Sequence, residues 1–381
     1  MTPHSPDERA VGAMSGGGVA SLPTGPVPLS AGPAGPVHTG PVMRVPPAPS
    51  VSQGSNPAQR GSLRVSALGG GHGLSATLSA LRIIAAEHLT AVVTVADDGG
   101  SSGRLRQDMD VIPPGDLRMA LTALCDDNDW GRTWAQVMQH RFSSRDGVTG
   151  SLDDHAMGNL LIVALWELIG DVVDGLRWAG ALLGARGQVL PMSREPLTMS
   201  GLVHPCPERP NEEPVRVETQ AELAKAGRLG RLTDVQIHPA EAQACVEAVS
   251  AIELSDWVVF GPGSWYTSVL PHLLLHDLRN ALYETEARRC IVMNLTTDVD
   301  ETGGLSAAEH LGVISRYAPR LHIDRVLADP QSVPESERAQ FEAAAGRLGA
   351  EVRYHGVRSA VDPSVHDPLR LAIAFDDVFS D

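Results

Sequence analysis

The residues of this chain whose types and spacing suit chemistry lie just after short apolar runs. The run 65–68 leads into Gly69, Gly70, Gly71, His72 and Gly73, and the run 257–260 leads into Gly261, Pro262, Gly263, Ser264, Trp265, Tyr266, Thr267 and Ser268. Glycines let the backbone approach a ligand, and a helix starting there presents unpaired N–H groups and the positive end of its dipole. Each loop therefore suits a phosphate. Two of them at one sheet edge suit a diphosphate, with Ser264, Thr267 and Ser268 as hydroxyl donors. A third run, 91–95, ends on Asp97, Asp98, Gly99, Gly100, Ser101, Ser102 and Gly103, followed by Arg104 and Arg106. Carboxylates, hydroxyls and guanidinium groups in that order suit a sugar hydroxyl or a divalent cation beside a phosphate.

Smaller constellations follow. After Pro113-Pro114-Gly115, Asp116 takes an N-cap position and Arg118, in the first turn, is a candidate anion ligand. His155 and Asn159 are four apart and share a face at the start of an apolar helix. The run 290–294 ends at Asn294, and a polar loop carrying Glu301 and Thr302 comes after it. Each motif also has a structural reading as a turn, a helix cap or a solvated loop.

Several classes are disfavoured. Ser75 and Ala76 stand where a spaced dinucleotide fingerprint has its third glycine, and no acidic residue closes the second strand before Asp97, which argues against an NAD-dependent oxidoreductase. A Walker loop needs a lysine after its glycine, and the only lysine is Lys225. A formal charge of −16 with no basic run argues against nucleic acid. Cys125, Cys206, Cys245 and Cys290 share no metal-type spacing, which fits a reducing cytoplasm. No run reaches the roughly 18 apolar residues of a membrane span, and the first thirty residues lack an apolar signal core.

These motifs need strands that end at one edge. The pattern predicts an α/β fold: a Rossmann-like, doubly wound, mostly parallel sheet with a smaller β-rich insertion. Helices are expected over 130–142, 155–169, 172–186, 239–253 and 335–348. Residues 195–240, with short strands at 197–202, 215–219 and 232–238, form the inserted or edge β region within a domain spanning 63–381. Residues 1–62, rich in Gly, Pro, Ser and Ala, read as a disordered tail with Met43 as a candidate start.

Taken together, GGGHGLS (69–75), VADDGGSSGRLR (95–106), PPGDLR (113–118), HAMGNLL (155–161), GPGSWYTSVLP (261–271) and NLTTDVDET (294–302) resemble the CofD/YvcK-like family over residues 63–330. The DDGGSSGRLR form is similar to the YvcK branch, the gluconeogenesis factors. The resemblance implies a Rossmann-like cytoplasmic homo-oligomer that binds a UDP-sugar such as UDP-N-acetylglucosamine. It also implies a role as sensor or regulator in cell shape and wall homeostasis on gluconeogenic carbon, with regulatory protein partners. By motif, Gly69–Gly73 and Gly261–Ser264 would cradle the diphosphate. Asp97, Asp98 and Asn159 would face the sugar or a metal, and Arg104 and Arg118 would complete the charge. The related CofD branch, the 2-phospho-L-lactate transferases, suggests the alternative of an Mg²⁺-dependent transferase acting through Asp97 and Asp98. Two departures stand out. His72 replaces a threonine usual in the family, and Thr297-Asp298-Val299-Asp300 replaces a more usual Thr-Gln-Pro-Gly.

Overall fold

Short, fully apolar segments such as Val65–Gly69, with all five residues buried, belong in a parallel sheet covered on both faces. The computed structural model describes residues 63–85, 88–144, 150–205, 213–228, 230–296, 299–302 and 304–380. The expected tail over residues 1–62 lies outside them. Ten strands are seen among the described residues: β1 Val65–Gly69, β2 Leu89–Val93, β3 Gln188–Pro191, β4 Thr198–Pro205, β5 Val215–Val217, β6 Gly230–His238, β7 Trp257–Phe260, β8 Arg288–Val292, β9 Arg325–Ala328 and β10 Glu351–Tyr354.

Seven strands form one sheet in the order β10-β9-β8-β7-β1-β2-β3, with every neighbouring pair parallel. From β1 the chain winds outward to β2 and β3. It then returns to β7 on the other side of β1 and winds outward again to β10. Adjacent strands β1 and β7 are thus the point where the winding reverses, the place where open α/β sheets bind ligands. Their register, Val65 beside Trp257 and Leu68 beside Phe260, brings the two glycine loops side by side.

The helix Gly71–Ile84 buries Leu74, Leu78 and Leu81 against the sheet, the stripe its three- and four-residue spacing predicts. The helix Pro368–Ser380 covers the same side, and its Phe379 stacks on Trp257 at 4.7 Å. The β-rich region is a separate antiparallel sheet, β5-β4-β6. The expected helices start late or end early: Asp129–Gln139 for 130–142, Met157–Ile169 for 155–169, Val172–Leu183 for 172–186 and Val246–Glu253 for 239–253. The shortened starts follow local chemistry, since His155 precedes the helix capped at Ala156. No described helix is long and apolar enough to cross a membrane.

Candidate functional site

At the end of β1 the backbone passes through extended Gly70 and left-handed Gly71, φ +57, into the helix Gly71–Ile84. A Cβ at Gly70 would lie 2.4 Å from Asp116 Oδ2, and one at Gly73 would lie 2.1 Å from the Pro262 carbonyl oxygen. The glycines therefore permit close approach, first to a carboxylate and then to the neighbouring loop. The first amide bonded back into the turn is that of Leu74, which donates to Gly70 O at 3.3 Å. The amides of His72 and Gly73 donate to no described residue, so an anion-binding helix start is left open.

The second loop is built differently. Thr77 Oγ1 donates to Gly261 O at 2.8 Å, tying it to the first helix. Asn294 grips Gly263 from two sides, its Oδ1 accepting from the Gly263 amide at 2.8 Å and its Nδ2 donating to the Gly263 carbonyl at 2.9 Å. The carboxylate of buried Glu301 accepts from the amides of Trp265, Tyr266 and Thr267 at 2.6, 3.1 and 2.9 Å, and from Thr267 Oγ1 at 2.9 Å. Buried Thr302 follows it. Three of the loop's amides and the Thr267 hydroxyl are thus held by the protein's own carboxylate. The Ser264 amide and the Ser264 and Ser268 hydroxyls bond to no other described residue.

A cleft of about 360 Å³ opens over both loops, lined by Gly70–Gly73, Asp97, Asp116, Gln220, Ala224, Gly263, Ser264, Thr267 and Ser268. Asp97 accepts from the Gly99 amide at 3.0 Å and from Ser102, which packs against Gly115. Asp116 is the second residue of the helix Gly115–Ala123, so the expected N-cap position belongs to Pro114 instead. This places the Asp116 carboxyl at the first glycine loop. Burial, and then the neighbouring Asp97, raise its pKa to about 7, while burial also raises that of Asp97.

Asp98 points elsewhere. Its oxygens accept from the amides of Gln220 and Ala221 at 2.8 and 3.1 Å, fastening the helix Gln220–Leu223 of the inserted region to the cleft wall. Adjacent residues of an extended segment diverge, and here they do. Asp97, with Asp116, faces the cleft, and Asp98 braces its wall.

Four further residues singled out from the sequence lie together behind the cleft. The Ser101 hydroxyl accepts from the Ala156 amide at 3.3 Å and from Asn159 Nδ2 at 3.0 Å, so its one proton goes to His155 Nδ1, 3.1 Å away. His155 is therefore neutral with its proton on Nε2, consistent with burial, and then Arg104, lowering its pKa. Asn159 Oδ1 accepts from Arg118 Nε at 2.8 Å, and Arg118 also donates to Gln139. Burial lowers the Arg118 pKa to about 10. Arg104 donates to the Asp153 carbonyl at 2.8 Å and Arg106 to that of Leu197 at 2.6 Å. Among the described residues, no arginine lines the cleft.

An anionic ligand on the first loop would thus face two carboxylates with no lining cation. A divalent cation shared by Asp97, Asp116 and the ligand's oxygens would resolve that conflict. Magnesium is commonly held in this way by one or two carboxylates and phosphates. No described group of three or more His, Cys, Asp or Glu forms a complete metal cage. The donor set fits Asp97 and Asp116, while the carboxylate of Asp98 is engaged. Gln220 and Ala224 escaped sequence reasoning because only the tertiary contact with Asp98, more than a hundred residues earlier, brings them here.

The model of the family described as 2-phospho-L-lactate transferase CofD matches residues 65–364. A Mycobacterium tuberculosis protein provisionally named a gluconeogenesis factor is 45% identical over 313 residues, covering 82% of this chain and 89% of that protein. The Listeria monocytogenes "Gluconeogenesis factor" is 34% identical over 307 residues, covering 78% and 90%. A crystal structure of a UPF0052 family member from Bacillus halodurans superposes with a TM-score of 0.69 at 31% identity, covering 83% of this chain and 99% of that one. The switch-point cleft therefore sits in a chain that belongs to the CofD family, among relatives named gluconeogenesis factors.

Proposed function

We propose that this chain is a cytoplasmic gluconeogenesis factor that senses a nucleoside-diphosphate sugar, with UDP-N-acetylglucosamine as the reference ligand. Its output is regulation of cell shape and wall homeostasis on gluconeogenic carbon, through a homo-oligomer and regulatory partners. The observation that carries the binding reading is the open first loop facing Asp97 and Asp116 at the strand switch point. The His72 and Gly73 amides would take one phosphate, and Ser264 with Ser268 would take its neighbour. Mg²⁺, held by Asp97 and Asp116, would supply positive charge to the diphosphate. Calorimetric titration with UDP-N-acetylglucosamine, with and without Mg²⁺, tests this directly. Magnesium-dependent binding with intact ligand recovered by chromatography is the expected result, and no binding at millimolar ligand would remove the reading.

One observation favours a second reading, a transferase of a phosphorus-containing group. Burial, and then Asp97, push the Asp116 carboxyl up to about 7, which suits a general base for an acceptor hydroxyl if Asp97 alone holds the cation. Under this reading Asp116 takes the hydroxyl proton, while the first loop orients the donor's phosphates. Magnesium-dependent release of free nucleotide, lost in Asp116→Asn, would select it over the sensor.

A further inference from the structure

The polar side chains lining the cleft fall into two groups. Thr267 is bonded to Glu301, Asp97 to Gly99 and Ser102, and Asp116 to the Gly71 amide. The side chains of His72, Ser264, Ser268 and Gln220 make no hydrogen bond to any described residue. Three of these four belong to the glycine loops and are accounted for by phosphate. Gln220 does not. It comes from the inserted region and carries an acceptor as well as donors, and a phosphate, which only accepts, would leave that acceptor unused.

A carboxamide offers two donors and an acceptor in one plane, which suits a neutral group with both hydrogen-bonding senses: a sugar hydroxyl or amide, or the imide edge of a base. Gln220 is also held in place. Both oxygens of Asp98 accept backbone amides, one from Gln220 itself and one from Ala221, and Thr219 accepts from the Glu222 amide at 3.1 Å. A free side chain on a pinned backbone is a suitable arrangement for recognition, because the ordering cost of the segment has been met before the ligand arrives.

We infer that Gln220 reads the neutral group attached to the diphosphate, and that Asp98 is the positioning residue that presents it. This rests on the proposed function above. Discrimination among ligands would then reside in the inserted region, while the glycine loops supply affinity common to all of them. An adjacent Asp pair that looks like one site in sequence is divided between the two tasks: Asp97 towards the phosphates, Asp98 towards the reader.

The test is calorimetric titration of the full chain with Mg²⁺ and three probes: inorganic diphosphate, UDP and UDP-N-acetylglucosamine. Wild type binding none of them overturns the proposed function itself. Given binding, Gln220→Ala should weaken UDP-N-acetylglucosamine roughly fivefold, as expected for one lost hydrogen bond, and leave diphosphate unchanged. If UDP weakens equally, the group read is the base, and if UDP is spared, it is the sugar. An unchanged affinity for both nucleotides, or an equal loss for diphosphate, overturns the inference. Asp98→Asn should reproduce the same selective loss, and the double variant should bind no worse than Gln220→Ala alone. Additive losses, or a loss for diphosphate in Asp98→Asn, would show Asp98 acting otherwise than through Gln220.

Discussion

The two glycine loops follow the same sequence plan, an apolar strand, clustered glycines and a small-residue helix start, yet they are in opposite states. The first leaves the His72 and Gly73 amides open to a cleft. The second has the amides of Gly263, Trp265, Tyr266 and Thr267 taken up by Asn294 and Glu301 and keeps that of Ser264 open. The acids differ in the same sense. Glu301 is buried and fully bonded, whereas Asp116 stands in front of its loop with burial and Asp97 opposing its ionisation. An anion site filled by the protein's own carboxylate is a device for stability. One whose carboxylate, Asp116, takes only the Gly71 amide and leaves those of His72 and Gly73 open is a device for binding.

The largest effect is expected at Glu301. Glu301→Ala would leave three buried amides and the Thr267 hydroxyl without their acceptor, and should lower stability by about 4 kcal/mol in chemical denaturation. A loss below ~1 kcal/mol would mean that this carboxylate is dispensable and that the amides of Trp265, Tyr266 and Thr267 are available to a ligand as well. Next comes Gly73→Ala, where the new Cβ would sit 2.1 Å from a backbone oxygen that has no side-chain freedom to move away. The expected loss is about 3 kcal/mol, together with ligand binding, because the two loops must part. Gly71→Ala, with open space around it but φ +57, should cost only the left-handed penalty of about 1 kcal/mol.

What the sequence shows of this arrangement follows from what is local. Leu74, Leu78 and Leu81 announce the first helix, and buried all-apolar strands announce the parallel sheet, since both signals lie within a few residues. The clustering of Gly70–Gly73, Asp97, Asp116, Gly263, Ser264, Thr267 and Ser268 follows from strand ends meeting at one edge, a consequence of topology. Which donors remain open is not local. Glu301 lies more than thirty residues from the amides it holds, and Asp98 more than a hundred from those of Gln220 and Ala221. Arg118 likewise carries an anion-ligand pattern, but its guanidinium is taken up by Asn159 and Gln139. Residue type marks these side chains as polar and functional in kind, and only the packing decides whether the partner is ligand or protein.

Asp116→Asn acts on the other loop. It should reduce Mg²⁺-dependent affinity for UDP-N-acetylglucosamine about tenfold while leaving the protein as stable as wild type, or more so, at pH 8. The folded-state pKa, about 7, lies above the ordinary 3.8, so the folded chain holds a proton that the unfolded chain has lost between these values. Stability contributed by this group is therefore full below pH 3.8 and is lost as pH rises through about 7, a change of about 3 kcal/mol between pH 5 and 8 that urea titrations should show as an extra loss in wild type over Asp116→Asn. Binding has a pH signature as well. Mg²⁺ competes with the proton, so magnesium-dependent affinity should rise towards pH 7. Without Mg²⁺ the growing negative charge should make diphosphate binding fall over the same range.

The smallest expected effect is at Ser264, where the second loop retains an uncommitted amide and hydroxyl. Ser264→Ala removes one exposed donor and disturbs neither Asn294 nor Glu301, so stability should hold within ~0.5 kcal/mol. UDP affinity should fall by roughly threefold, in keeping with one solvent-exchangeable hydrogen bond. The ratio of this loss to that of Asp116→Asn locates the phosphates between the loops. If Ser264→Ala is the more damaging of the two, the diphosphate is held chiefly by the second loop, and Glu301 then serves to orient that loop's remaining donor towards the ligand.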